Sequence, residues 1–198
     1  MPVPKKLIRV AWMAIALGVL MEVLVLLSGG AKNAILRDTL SKVTWSSIVC
    51  FGVAAGASAS TKLKTSAMGV AGLFAAPAAF ITARVVHKAF TVAAASGAGD
   101  KTGVVLLLAA MKAAEYAAFG MITGWLAGER FYRGWHYAIA GAFTGLYFGV
   151  LIATVTTAGS GASRVPMIVN EVLFPVGCAL VLFASRLLTS EDVPVAAR

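Results

Sequence analysis

Arg133-Gly134-Trp135-His136-Tyr137-Ala138-Ile139-Ala140-Gly141-Ala142-Phe143-Thr144-Gly145-Leu146-Tyr147-Phe148-Gly149-Val150-Leu151-Ile152-Ala153 decides the fold class. It is apolar, too long for a strand, and it does not alternate. Gly141, Gly145, Gly149 and Ala153 recur every fourth residue. On a helix that spacing makes a ridge with almost no side chain, along which another backbone can approach closely. In a membrane it is the small-xxx-small packing pattern. The stretch therefore predicts a membrane-spanning helix whose work is contact with other helices.

Composition extends this reading to the whole chain. Of 198 residues, 60% are hydrophobic and 13% charged, and the mean hydropathy is +0.88. Soluble domains carry about a quarter charged residues. The excess of apolar residues predicts one polytopic membrane domain covering residues 1–198, with no room for a large soluble domain besides. The net charge is +9, from 17 basic and 8 acidic residues. The cations sit mainly at the edges of apolar runs: Lys5, Lys6, Arg9, Lys62, Lys64, Arg84, Lys88, Arg130, Arg133 and Arg186. That placement suits anchoring to anionic headgroups such as cardiolipin and argues against nucleic-acid binding.

Six spans are expected, at residues 7–27, 45–60, 66–86, 104–126, 135–157 and 165–188, giving an all-α transmembrane bundle. Gly29 to Val43 is mixed in charge and reads as a loop with a short interfacial helix. Gly52, Gly56 and Ser60 form a second small-residue ridge, in span two. Pro77 and Pro175 lie inside spans three and six, where each frees a carbonyl that needs another partner. Ridges in spans two and five, prolines in three and six, and glutamates in one and four together suggest a weak 3+3 repeat of the kind found in transporters. Basic residues are shared too evenly between the two sides to set the orientation.

Charges within the apolar runs are the functional candidates, because burying a charge in lipid is costly. They are Glu22, Lys112, Glu115 and Glu171. Lys112 and Glu115 are three apart and can pair along one helix. The plain reading is a self-neutralised structural pair. The sharper one is a proton or ion relay, which needs all three glutamates on one interior path. No catalytic, cofactor-binding or metal-binding set stands out, and an enzyme is not expected. His87 and His136 fall at opposite membrane edges, unsuited to holding a haem between them. Cys50 and Cys178 read as buried free thiols, with no zinc or disulfide pattern. The serines of Gly159-Ser160-Gly161-Ala162-Ser163 have no histidine in the following helix to act as a base.

Ala140-Gly141-Ala142-Phe143-Thr144-Gly145, following Arg130 and Arg133, resembles the basic turn and glycine-rich helix of the mitochondrial inner-membrane translocase (Tim) family. Lys62 to Lys88 resembles a span of the family's accessory subunit in respiratory complex I. Together these segments cover about a third of the chain. The resemblance implies a mitochondrial inner-membrane protein without a cleaved presequence, packed among other membrane subunits. A bacterial inner membrane is the alternative. The sequence departs from the family in two ways. Gly134-Trp135-His136 stands where an acidic residue and an asparagine are usual, and six spans are expected where the family has four. Three functions are expected, in order: a non-catalytic accessory subunit of a larger respiratory-type complex, a protein translocase component, and, from the weak repeat and Glu22, Glu115 and Glu171, a small secondary transporter or channel using intramembrane glutamates.

Overall fold

The computed structural model describes residues 5–27, 35–59, 63–91, 102–128, 133–156 and 165–190. They form six helices: α1 (Lys5–Leu27), α2 (Ile35–Ala59), α3 (Lys64–Thr91), α4 (Thr102–Gly128), α5 (Gly134–Thr156) and α6 (Val165–Ser190). Each is long and apolar enough to cross a membrane. No strand occurs among the described residues. In lipid every backbone polar group must bond internally, which the helix does within itself. The chain is thus an all-α integral membrane bundle. Each helix packs on its neighbour in sequence, α6 returns to α1, and α2 also touches α6 across the middle.

One boundary differs from the sequence reading. Ile35 to Val43, expected within a loop with a short interfacial helix, forms the first turns of the spanning helix α2. Three charges thereby enter the bundle, and each is neutralised there. Arg37 bonds Asp38 at 3.0 Å, and Lys42 is paired with Glu22 of α1. A polar segment of this kind can stay helical because its charges find partners within reach. Ser60 and the Gly159–Ser163 segment lie outside the described residues.

The ridges are used inside the chain. A Cβ on Gly141 would stand 2.6 Å from the Pro175 carbonyl oxygen, and one on Gly145 would stand 2.5 Å from that of Glu171. Gly149 faces the Glu171 side chain, and Ala153 is fully buried. The glycine edge of α5 from Gly141 to Gly149 therefore lies against α6. On α2, Gly52 faces Ala75, and a Cβ on Gly56 would stand 2.6 Å from the Ala67 carbonyl oxygen of α3. So α5 leans on α6 as α2 leans on α3, a correspondence that fits the two-half pattern suggested by the sequence. A third glycine contact was not anticipated. Between α3 and α4, Gly72 lies against the Tyr116 carbonyl, Gly120 against the Met68 carbonyl and the Gly69 nitrogen, and Gly124 against Thr65. Gly120 and Gly124 are themselves four apart, so this signal was present in the sequence.

The outer surface is apolar, as a lipid-facing surface must be. Trp12, Trp125 and Trp135 are exposed. All three lie toward the end of the bundle where α1 begins, α4 ends and α5 begins. They form a one-sided interfacial belt. Trp45, the fourth tryptophan, is turned inward.

Gly145→Leu is expected to overpack the α5–α6 contact, at a cost of roughly 1–3 kcal/mol or more. Thermal unfolding in mild detergent checks this, and an unchanged melting temperature would show that the ridge does not hold the pair together.

Candidate functional site

Lys112 organises the interior. Its position is about 15 Å of helical rise from Thr102, at roughly 1.5 Å per residue, and so near the middle of α4. The ammonium donates to Glu115 Oε2 at 2.8 Å and is paired with Glu171 of α6. It also stands 5.3 Å from the ring centroid of Trp45 and 5.9 Å from that of Tyr116. One cation is therefore held by two carboxylates and two aromatic faces, all of which favour it. The expected self-contained Lys112–Glu115 pair is in fact a triad. Glu171, far away in sequence, completes it.

Glu115 is fully buried. Its second oxygen, Oε1, has no hydrogen-bond partner. Glu171 sits where the helix itself is interrupted. Pro175 has no N–H, so the Glu171 carbonyl lacks its usual helical donor. The bare Cα of Gly145 closes over that carbonyl, which a larger residue could not do.

Beside the triad is a cavity of about 350 Å³, lined by Lys112 with Asp38, Lys42, Trp45, Phe80 and Glu171, among others. It lies between α2, α3, α4 and α6. It is placed toward the end of the bundle where α1 and α3 finish and α2, α4 and α6 begin. This is the end opposite the tryptophan belt. Trp45 packs edge-on against Tyr116 and Phe174 and forms one wall. The volume is at the lower end of the range for ligand pockets, and the lining is the usual mix of apolar walls and a few polar groups.

The structure thus gathers what the sequence reading singled out separately. Lys112, Glu115 and Glu171 form one cluster. Glu22, 3% exposed, joins at one remove, because its partner Lys42 lines the same cavity. Lys42, Asp38, Trp45, Phe80, Asn170 and Phe174 were missed. The first two fell in the stretch read as a loop. For the aromatic residues, spacing carries no signal, since Trp and Phe are ordinary in any membrane helix. Gly52, Gly56, Gly141, Gly145, Gly149 and Ala153 do not line the cavity; they set the helix distances around it.

Cys50 of α2 and Cys178 of α6, remote in sequence, are neighbours here, with sulfurs 2.9 Å apart, both free and buried. They mark the close approach of α2 and α6 below the cavity. His136 stacks on Trp135 at the opposite end, its ring nitrogen 3.3 Å from the Arg133 carbonyl oxygen. Among the described residues no group of three His, Cys, Asp or Glu side chains could hold a metal ion. Comparison with family models, with curated proteins and with solved structures returned no match.

Lys112→Met is expected to leave two carboxylates buried without their cation. Breaking a buried ion pair from one side costs about 3–5 kcal/mol. Adding Glu115→Gln in the same chain removes one stranded charge and should recover part of the loss. Thermal unfolding of the single and double variants measures both effects; a single variant as stable as the parent would show that the triad is not a structural constraint.

Proposed function

We propose that the protein is a small secondary transporter or channel, passing a small polar solute or ion through the cavity at Lys112, with Glu22, Glu115 and Glu171 as its intramembrane charged groups. The cavity carries this reading. Ion pairs in a membrane interior are expensive to bury and mark solute or ion pathways. A bundle that only filled space would be more stable with apolar side chains at these positions.

The triad also suits movement. Glu115 is on the same helix as Lys112, whereas Glu171 is on α6. A shift of α6 against α4 would break the Glu171 contact while the ammonium keeps Glu115, and the freed Glu171 carboxylate would then take a proton or a solute cation as its partner. The break at Pro175 lies just beyond Glu171, where a helix bends most readily. Division into α1–α3 and α4–α6, with the ridges used alike in both halves, fits the rocking-repeat scheme of transporters.

A second reading follows from the resemblance: an accessory subunit of a respiratory-type complex, or a translocase component, in the mitochondrial inner membrane. The observation favouring it is the outer face of α5, where Ile139, Phe143, Leu146, Tyr147 and Val150 form an exposed apolar stripe that another subunit's helix could cover. The small-residue ridges, however, are satisfied within the chain and call for no outside partner. Which membrane houses the protein belongs with this choice, with a bacterial inner membrane as the other candidate.

Reconstitution into liposomes separates the two. For a transporter or channel, wild-type vesicles carry a solute or ion flux, and Glu115→Gln lowers it by about tenfold or more, a barrier increase of roughly 1.4 kcal/mol. The accessory reading predicts no flux, a large assembly in mild-detergent purification, and loss of that assembly in the same variant.

A further inference from the structure

We propose that the cavity takes a small organic monocation, an ammonium or guanidinium head on a compact apolar body, which competes with the Lys112 ammonium for Glu171. The proposal rests on the transporter reading and names its substrate class.

Charge in the Lys112 cluster favours a cation. Both cavity lysines are already held by carboxylates, Lys42 by Glu22 and Lys112 by Glu115 and Glu171. Neither is free to receive an anion. Acceptor capacity, in contrast, is left over. The Lys112 cluster has two carboxylates for one ammonium, and Glu115 Oε1 is buried without a partner. Counted by itself, the triad of Lys112 with Glu115 and Glu171 is one negative. A cation completes that balance, whereas an anion would worsen it.

The cavity wall favours a cation as well. Trp45, Phe80 and Phe174 line the cavity. Aromatic faces attract cations through their quadrupoles and present an apolar surface to a hydrocarbon body. The protein already uses them in this way, since Lys112 Nζ lies over the rings of Trp45 and Tyr116. The Lys112 ammonium therefore occupies a carboxylate and aromatic cage fit for any ammonium. It acts as a tethered stand-in, and a substrate head entering beside Asn170 and Glu171 could take the Glu171 contact while Lys112 falls back on Glu115. The exchange keeps every charge paired and needs no covalent chemistry. Cavity size suits a small molecule, since about 350 Å³ is at the lower end of the range for ligand pockets.

Calorimetric titration of the purified full-length protein in detergent tests this with three probes of one shape: phenethylammonium, the anion phenylacetate, and neutral 2-phenylethanol. Phenethylammonium is expected to bind saturably, at least about tenfold more tightly than either of the others. Glu171→Gln should weaken it by about thirtyfold or more, the effect of removing one partner from a desolvated charge contact. Lys112→Met should tighten it, since the internal competitor is gone. Phe80→Leu, a milder change that keeps the triad, should weaken the cation more than the neutral probe. Equal or tighter binding of phenylacetate, weaker cation binding in a folded Lys112→Met protein, or no binding of phenethylammonium overturns the proposal. If Lys112→Met does not fold, the Phe80→Leu comparison decides: equal losses for cation and neutral probe overturn it. Failure here is distinct from failure of the transporter reading. A protein that shows Glu115-dependent flux in liposomes but binds none of the probes remains a transporter or channel for another solute, whereas an absence of flux sinks the transporter reading itself.

Discussion

A charge inside a membrane must be paired, and this bundle is arranged around how one lysine meets that demand. Lys112, near the middle of α4, is buried and meets its surroundings only through the cavity and its partners. It takes Glu115 from its own helix and Glu171 from α6, and the rings of Trp45 and Tyr116 supply the rest of its surroundings. Three helices are thereby tied to one ammonium. Because Lys112 and Glu171 must meet, α4 and α6 must face each other across the interior, and the cavity is the space this facing leaves. Lys42 and Glu22 repeat the solution nearer the membrane edge, joining α2 to α1.

The glycines serve that arrangement from outside. Without side chains at Gly141 and Gly145, α5 can lie directly on α6 at Glu171 and Pro175. The same economy brings α2 onto α3, and α3 onto α4. Close backbone packing makes up for the weak hydrophobic drive between helices in lipid. It also holds the helix carrying Glu171 at the place where Pro175 interrupts its hydrogen bonds. A rigid contact and a weak point in the ladder thus lie one turn apart. This combination suits a site where one helix shifts against another more than it suits a static filler. The sequence left open whether the ridges pack helices of this chain or of another subunit; their glycines lie against helices of the same chain.

Much of the fold was legible in the sequence, because lipid imposes a simple rule. Apolar runs of spanning length become helices, and five of the six expected spans lie within a few residues of α1, α3, α4, α5 and α6. The misjudged element was the start of α2. Lys42 looked like a loop residue because a linear reading cannot see Glu22 on the preceding helix, and Arg37 and Asp38, which pair with each other, lie in the same polar stretch. The same blindness limited the site. Lys112 and Glu115 could be paired from their spacing, since helical geometry is local. Glu171 could be singled out as a buried charge, but not assigned to Lys112 from α6.

The sequence by itself determined the membrane, the six helices, the small-residue edges and the list of charges that would need partners. These follow from hydropathy, length and helical period, all properties of neighbouring residues. Only the tertiary structure decided which charge pairs with which, that Trp45 turns inward while Trp12, Trp125 and Trp135 face outward, that Cys50 and Cys178 meet, and that a cavity opens beside Lys112. The reason is physical: in a bundle of similar apolar helices, rotation about each helix axis is set by packing against the others, and no stretch of one helix records what stands opposite it.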